Sequence, residues 1–420
     1  MDINQMLKGV LCEKCGKEHK CPIERVYIEN GAISYLGDFA SKYQSVLIVA
    51  DENTFSAAGG KTEAQLLGKI KDKVIFSGDA LVIPNEEAIE AVYAKMDSAD
   101  LIVGIGSGVI QDLCKYVSYF KSVPYVVVAT APSMDGYASS GAAMILKGMK
   151  ETVSCGLPAA IFADTEVLKN APIEMIKAGY GDIIGKFSAL NDWRLSTLIN
   201  GEFFCEYIYQ TTYDVTEKTL SLGAGLIKRD EASVKALTEA LVVVGIMMSF
   251  LGNSRPASGS EHHLSHYFEI TGIVHNRPYF PHGIDVAYST VVTAEIREKL
   301  LSKSFDTPLY REARDEYEQK IISLYGEDVG KGCIALQDKM GRYLENRAPI
   351  HKDKEAEIKK ILASMPSSEE IKNMLALAEL DASELYSLYG EKTVENAVKY
   401  AKDLKDRYTV LWLNYDLGGN

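Results

Sequence analysis

The chain has 420 residues, of which 47% are hydrophobic and 25% charged, as is typical of a soluble globular protein long enough for two domains. Its formal net charge of −13 argues against a nucleic-acid partner, because binding to phosphates needs clustered Lys and Arg. No apolar run approaches the roughly 20 residues that span a bilayer, and the N-terminus lacks the pattern of a signal peptide. We therefore expect a cytoplasmic protein without a membrane span.

The first 164 residues alternate between short β-branched runs and helical segments. The runs expected to be strands are 45–50, 73–76, 100–103, 124–128 and 160–163, and a hairpin is expected over 142–153 with its turn at Lys147 and Gly148. The helical segments expected between them are 85–96 and 109–120. This alternation predicts an α/β N-terminal domain over 1–164 with a doubly wound, mainly parallel sheet.

Beyond residue 165 the strand patterns end and amphipathic helical windows dominate. The clearest windows are 231–250, 310–325 and 394–413. They predict an all-α C-terminal domain over 165–420. Because no flexible linker separates the two regions, we expect the domains to pack closely, with the active site in the cleft between them.

Seven cysteines, an odd number, suit a reducing compartment. Three of them lie beside a histidine near the N-terminus, in the order Cys12, Cys15, His19 and Cys21. This C-x2-C-x3-H-x-C order is compatible with a small zinc site, although its last spacing is tighter than in common zinc fingers. Capping of a turn is the alternative role, and the sequence leaves both open.

A glycine-rich turn follows the expected strand 100–103. It contains Gly106, Ser107 and Gly108 and precedes a helix that carries Asp112. Glycines at such a turn let the backbone approach a pyrophosphate, and the helix N-terminus supplies N–H donors. Asp51 ends an earlier strand, where a carboxylate can hold the ribose hydroxyls of a dinucleotide or, equally well, cap a helix. The order of acid before glycines departs from the usual Rossmann pattern.

Five of the seven histidines lie in one short window, at positions 262, 263, 266, 275 and 282. His262 and His266 are four residues apart and share one face of a helix, whereas His282 is expected on the loop that follows. Two imidazoles and an upstream carboxylate would form a three-ligand site typical of a catalytic metal. We expect Asp182, at the start of a helix that continues to residue 194, to supply that carboxylate, although a plain helix N-cap is the alternative. Asp135 follows strand 124–128 and is a candidate for substrate contact.

Together these motifs resemble the dehydroquinate synthase-like and iron-containing alcohol dehydrogenase superfamily. Within it, the chain is similar to the bacterial branch of the sn-glycerol-1-phosphate dehydrogenases over residues 25–300. The resemblance rests on G-x-G-S-G-x-x-x-D at 104–112, A-P-S-M-D-G at 131–136, G-x-G-D at 179–182, S-R-P-A-S-G-S-E-H-H at 254–263 and H-G at 282–283.

The resemblance implies a set of site residues. It implies that the metal ligands are Asp182, His262 and His282, and that the dinucleotide lies on Asp51, Gly106, Ser107, Gly108, Asp112, Thr130 and Ser133. It also implies that Asp135 lies near the reacting hydroxyl. Lys186 stands where iron alcohol dehydrogenases have a further histidine, which favours Zn or Ni over iron at a three-ligand site.

The implied reaction is the hydride transfer that interconverts dihydroxyacetone phosphate and sn-glycerol 1-phosphate with NAD(H) or NADP(H), a step that would serve phospholipid biosynthesis. We assign His266 to a proton relay, and Arg255 and Arg277 to the substrate phosphate, with surface salt bridges as the alternative for both. We expect a homo-oligomer. The alternatives are a glycerol dehydrogenase-like polyol oxidoreductase, a dehydroquinate synthase-like lyase and a non-catalytic metal-binding or sensor protein.

Overall fold

The structure, a computed structural model, describes residues 2–147 and 149–419 and divides into two compact units. The first unit comprises Met1–Tyr180 and Leu222–Ser254, and the second comprises Gly181–Ser221 and Arg255–Asn420. The boundary expected at residue 164 coincides with the end of the last strand. The compact units instead separate at residue 180, and a later helical segment belongs to the first unit.

The first unit contains the strands of the described chain. They are β1 (Val10–Leu11), β2 (Glu18–His19), β3 (Arg25–Glu29), β4 (Val46–Asp51), β5 (Ile70–Phe76), β6 (Leu101–Gly106), β7 (Tyr125–Ala129), β8 (Gly141–Leu146), β9 (Met149–Ser154) and β10 (Ala160–Asp164). Six of them form a parallel sheet in the order β3-β10-β7-β6-β4-β5, and β1–β2 and β8–β9 are antiparallel pairs. The predicted α/β class is therefore confirmed. Of the predicted hairpin turn, Gly148 lies outside the described residues.

The central strands are buried along their whole length, which explains their continuous apolar runs. Every residue of β6 and β7 is buried, and so are the first five residues of β4. The edge strand β3 instead alternates between exposed and buried residues. The sequence analysis did not predict it, although Val26, Tyr27 and Ile28 form an apolar run as long as that of the predicted strand 100–103.

The sheet order places the end of β4 beside the end of β6. From β4 the chain first adds β5 on one side and then crosses to β6 on the other, so this is the point where the winding reverses. In the β4–β6 register Ala50 lies opposite Ile105, which brings the next residues, Asp51 and Gly106, to the same edge. Ligands of doubly wound sheets bind at such a switch point, outside the carboxyl ends of the strands.

Helices complete the first unit. They are α1 (Ile3–Met6), α2 (Leu36–Phe39), α3 (Glu52–Gln65), α4 (Glu86–Tyr93), α5 (Gly108–Lys121), α6 (Thr165–Leu168), α10 (Gly223–Ile227) and α11 (Glu231–Leu251), and α7 (Ile173–Ile184) crosses the unit boundary. By length and composition alone, α11 could span a bilayer, although charged residues in its first half leave no uninterrupted apolar run of that length. However, 72% of its most apolar window is buried inside the structure, as in the core helix of a folded domain.

The second unit is helical in its described residues. Its helices are α8 (Lys186–Asn200), α9 (Glu206–Thr219), α12 (Ser260–His275), α13 (His282–Leu301), α14 (Arg314–Tyr325), α15 (Glu327–Met340), α16 (Ala348–Asp353), α17 (Glu355–Leu362), α18 (Ser368–Ala376), α19 (Ser383–Tyr389), α20 (Glu391–Tyr400) and α21 (Val410–Asp416). The single helix predicted over 394–413 is wrong, because the chain is extended at Lys405 and begins a new helix at Val410.

A buried ion pair joins four helices of the second unit. Arg297 on α13 donates to the Asp192 carboxylate on α8 at 2.7 Å, and both side chains are buried. The same carboxylate accepts from the backbone N–H of Ser260, which begins α12, and of Val410, which begins α21, at 2.7 and 2.8 Å. Asp192 thus satisfies donors that two helix N-termini would otherwise leave unpaired.

We expect Arg297→Met to destabilise the protein by about 3–5 kcal/mol, because it leaves the Asp192 carboxylate buried without its cation. Arg314→Ala is the matched control. Arg314 pairs with Asp338 on the surface, and loss of an exposed pair costs about 1 kcal/mol or less. Urea denaturation followed by circular dichroism checks both. Equal unfolding midpoints for the two variants would contradict this role of Arg297.

Candidate metal and dinucleotide sites

The candidate metal site lies where two helices, α7 and α13, approach each other closely. Asp182 lies in the last turn of α7, so the expectation that a helix begins here is wrong. Two glycines beside Asp182 serve helix packing. A Cβ atom on Gly181 would lie 2.4 Å from the carbonyl oxygen of Gly283 on α13, and one on Gly185 would lie 2.5 Å from Val286. Only residues without a side chain let α13 approach Asp182 this closely.

The two predicted histidine ligands lie at the first turns of consecutive helices. His262 is the third residue of α12, and His282 is the first residue of α13 rather than part of the preceding loop, which corrects the prediction. Their ring centroids are 5.1 Å apart, and Nε2 of His262 lies 3.6 Å from Oδ1 of Asp182. One donor atom from each of Asp182, His262 and His282 lies within 4.8 Å of the other two.

Each imidazole is held by a second group through its other nitrogen. Nδ1 of His262 lies 2.7 Å from the Glu261 carboxylate, and Nδ1 of His282 lies 3.1 Å from the Ser265 hydroxyl. A carboxylate or hydroxyl behind a ligating histidine fixes its orientation and tautomer. Burial lowers the pKa of His262 well below its usual value, and the neutral ring is the form that binds a metal.

Glu261 is a functional residue that the sequence analysis missed. It is fully buried, and burial, reinforced by the charge of Asp192, raises its pKa to about 7. Besides His262 it accepts from the backbone N–H of Gly259 at 2.8 Å. The signal was an acid directly before the first ligand histidine, but residue spacing alone does not show which way its side chain turns.

Lys186 contacts the metal-site carboxylate directly. Its ammonium donates to Oδ1 of Asp182 at 2.6 Å and to the carbonyl oxygen of Ala257 at 3.1 Å, and both charged side chains are buried. A buried carboxylate needs a cationic partner, and Lys186 supplies one. It stands at the position where the resemblance places a further histidine in iron alcohol dehydrogenases. The donor set is therefore one carboxylate and two imidazoles beside a fixed positive charge.

His266, predicted to relay a proton, lies against His282. The two rings are stacked with centroids 5.5 Å apart, and Nδ1 of His266 lies 3.8 Å from the carboxylate of Glu269. His266 also shares a face of α12 with His262, at 6.3 Å between centroids. Its place next to a candidate ligand suits a proton carrier, and this role stays a prediction.

The glycine-rich turn in the first unit has the geometry of a phosphate cradle. α5 begins at Gly108, directly after β6, with Ser107 at its N-cap. The Gln111 side chain donates to the carbonyl oxygens of Gly104 and Gly106 at 2.9 and 3.2 Å. A Cβ atom on Gly106 would lie 2.6 Å from Ile110, so the turn can be this tight only with glycine. The amides at the start of α5 are the donors that an anion needs.

Asp51 and Thr130 lie at the same edge of the sheet as this turn. Asp51 caps α3 through a capping box in which it accepts from the backbone N–H of Thr54 at 2.9 Å. Its cap role is thus observed, whereas the ribose role stays a prediction. Thr130 follows β7 and is buried. Its backbone N–H donates to the carbonyl oxygen of Gly106 at 3.3 Å.

Asp112 has a structural role that the motif did not reveal. Its carboxylate lies 3.2 Å from the buried ammonium of Lys115 and accepts from the backbone N–H of Ala143 at 3.1 Å. Lys115 also donates to the carbonyl oxygens of Gly136 and Gly141. The pair therefore holds the segment that contains Ser133 and Asp135, both half-buried, and a direct contact of these two with cofactor or substrate stays a prediction.

The two predicted phosphate-binding arginines differ in their surroundings. Arg255 is 1% exposed and donates to the Glu202 carboxylate at 2.9 Å and to the carbonyl oxygen of Tyr408 at 2.7 Å. Arg277 is exposed on the segment between α12 and α13, ahead of His282. The contacts of Arg255 are those of a structural residue, whereas a phosphate contact of Arg277 stays a prediction.

Comparison with known proteins identifies relatives over the whole chain. The model of the iron-containing alcohol dehydrogenase family matches residues 27–172. Glycerol-1-phosphate dehydrogenase [NAD(P)+] of Bacillus licheniformis is 31% identical over 411 residues, which cover 95% of this chain and 90% of the relative. The enzyme of the same name from Geobacillus stearothermophilus is 30% identical and covers 99% of both chains.

Solved structures share the fold of this chain. Sulfoacetaldehyde reductase from Bifidobacterium kashiwanohense, solved in complex with NAD+, matches 94% of this chain with a TM-score of 0.61 at 13% identity. Glycerol dehydrogenase from Schizosaccharomyces pombe matches 88% with a TM-score of 0.52 at 18% identity. The predicted family is thereby confirmed: the chain belongs to the glycerol-1-phosphate dehydrogenase family within the iron-containing alcohol dehydrogenase superfamily.

Proposed function

We propose that this protein interconverts dihydroxyacetone phosphate and sn-glycerol 1-phosphate by hydride transfer with NAD(H) or NADP(H). The observation that carries the proposal is the convergence of Asp182, His262 and His282 within 4.8 Å, in a chain whose full-length relatives are named for this activity. A cytoplasmic location and a homo-oligomeric state belong to the same proposal.

The donor set suits one divalent ion, Zn or Ni. One carboxylate and two imidazoles leave an open position for substrate, and the groups behind the imidazoles, Glu261 and Ser265, are those expected of ligating histidines. When bound, the ion supplies a Lewis acid for the substrate's carbonyl oxygen. Lys186 holds the Asp182 carboxylate in place throughout, because its ammonium is bonded to Oδ1.

The dinucleotide is assigned to the carboxyl edge of the parallel sheet. The amides at Gly106, Ser107 and Gly108 bind the pyrophosphate, and Asp51 accepts from the ribose hydroxyls, which disfavours a 2′-phosphate. When bound, the nicotinamide supplies or accepts the hydride. Thr130 and Ser133 orient it, and the Asp112–Lys115 pair fixes the segment that carries Ser133.

The remaining roles concern the proton and the phosphate. His266 exchanges a proton with solvent on behalf of the reacting oxygen, and Asp135 accepts from a substrate hydroxyl. Arg277 binds the phosphate, since a guanidinium forms paired hydrogen bonds with phosphate oxygens. Arg255 remains the second candidate for this contact, provided that its guanidinium leaves Glu202 on substrate binding.

Polyol oxidation of the glycerol dehydrogenase type is the second candidate function. Glycerol dehydrogenases are among the solved structures that share the fold, but at 18% identity, whereas the relatives at 30–31% identity are named for the phosphorylated substrate. A lyase of the dehydroquinate synthase type and a metal sensor stay further alternatives, and only the sensor would lack a use for the glycine-rich turn.

An assay of NADH oxidation tests the proposal. With Zn or Ni added, we expect turnover with dihydroxyacetone phosphate, little with dihydroxyacetone and none without substrate, and chiral analysis should give the 1-phosphate.

His262→Ala should lose its bound metal and at least about 10³-fold in kcat/KM, because a ligand is removed. His275→Ala, on the exposed end of the same helix, is the matched control. Full activity of His262→Ala without metal would refute the site.

The role of Asp51 is tested with Asp51→Ser. Serine caps a helix about as well as aspartate, so the fold is kept while the carboxylate is removed. We expect kcat/KM for NADPH relative to NADH to rise at least about tenfold, since a hydrogen bond to a charged group contributes about 1.5–3 kcal/mol. An unchanged ratio would mean that Asp51 is only a helix cap.

The phosphate contact is tested with Arg277→Ala. We expect KM for dihydroxyacetone phosphate to rise about tenfold or more, with kcat for unphosphorylated dihydroxyacetone unchanged, because only the phosphate loses its partner. Arg255→Ala serves as the comparison and should lower the unfolding midpoint instead, since it leaves the buried carbonyl oxygen of Tyr408 without its donor. A rise in KM for Arg255→Ala alone would reverse the assignment.

A further inference from the structure

A second group of metal-binding side chains lies near the N-terminus of the first unit. The thiols of Cys12 and Cys15 and a ring nitrogen of His19 lie within 4.8 Å of one another. Sγ of Cys15 is 3.4 Å from Nε2 of His19. Cys12 and His19 are each only 3% exposed. Two thiols and one imidazole are soft donors of the kind that structural zinc sites use.

The backbone between these residues has the form of a tight metal-binding turn. The N–H of Gly16 donates to the carbonyl oxygen of Cys12 at 2.8 Å, and the N–H of Cys12 donates to the carbonyl oxygen of Lys17 at 2.9 Å. Gly16 has a φ of +70°, a conformation that side chains disfavour. The chain therefore reverses directly after Cys15 and returns along β2, which brings His19 back to the two thiols.

His19 is also held from behind, as a ligating histidine is. Its ring stacks on Phe250, in the last turn of α11, with centroids 5.5 Å apart, and it makes a hydrogen bond with the backbone of Phe250. Nε2 is the nitrogen beside Cys15. Ring stacking together with a backbone hydrogen bond restricts the orientation of the imidazole, as the groups behind a metal-bound histidine do.

The hairpin that carries the donors is too short to be stable by itself. β1 and β2 have two residues each and pair only through Val10–His19 and Leu11–Glu18. An isolated hairpin, even of greater length, is marginal in water. A bound ion would supply the missing stability, as it does in other small elements that a structural metal stabilises.

We propose that Cys12, Cys15 and His19 bind a structural zinc ion that fastens the N-terminal hairpin to the end of α11. The three residues are three of the four donors that zinc takes in such sites. Cys21, which the sequence suggested as a fourth, is not among the grouped donors of the described residues. The site is separate from the three-ligand site of Asp182, His262 and His282, which contains no sulfur.

Cobalt substitution distinguishes the two sites, because only a thiolate ligand produces a sulfur-to-cobalt charge-transfer band. We expect this band in the cobalt-loaded wild-type protein and in His262→Ala, and its loss in the double variant Cys12→Ser/Cys15→Ser. Cys155→Ser, which removes a buried thiol of the same unit outside the group, is the matched control and should keep it. A wild-type protein without the band would overturn the proposal, whether or not the variants fold.

Elemental analysis of the zinc-loaded proteins gives the stoichiometry. We expect Cys12→Ser/Cys15→Ser to lose one zinc ion per chain relative to wild type, and His262→Ala to retain one. Cys21→Ser should bind as much zinc as wild type. Limited proteolysis should cut the hairpin of the double variant faster than that of the control. Zinc loss in Cys21→Ser equal to that of the double variant, or a Cys12–Cys15 disulfide in freshly purified protein, would refute the proposed ligand set.

Discussion

The position of His262, a candidate metal ligand, depends on the buried carboxylate of Asp192. It accepts from the first N–H of α12 and pairs with Arg297, all inside the second unit. His262 follows two residues after that anchored N–H. A displaced helix start would move the imidazole, and a metal site tolerates shifts of only a few tenths of an ångström. The ion pair is therefore best understood as a device that positions the site rather than one that adds net stability.

Close helix approach is the second requirement of the metal site. The carboxylate of Asp182 and the imidazole of His282 come from helices that cross at Gly181 and Gly283. Lys186, one turn beyond Asp182, donates its ammonium to the same carboxylate. A buried cation beside the site weakens the attraction of the carboxylate for a second cation. The ligands therefore have to hold the metal through good geometry as well as through charge.

The sequence predicted the type of fold and the grouping of Asp182, His262 and His282 better than it predicted the helix boundaries. Apolar runs identified the buried strands, but the equally short run in the edge strand β3 was not recognised. Asp182 was expected at a helix start, whereas the glycines beside it mark helix packing, which depends on a partner distant in sequence. Glu261 and Ser265 were missed for the same reason: their roles depend on which imidazole nitrogen they meet. The candidate ligands were identified from residue type and resemblance. Neither shows which side chain contacts which imidazole nitrogen.

The most direct test is to locate the ion. Crystals of the protein grown with Zn or Ni and measured at the absorption edge of that metal would show the ion as an anomalous peak. The account predicts a peak at about 2.0–2.2 Å from Nε2 of His262, a nitrogen of His282 and a carboxylate oxygen of Asp182. Metal-loaded crystals with no peak among these three side chains would contradict it.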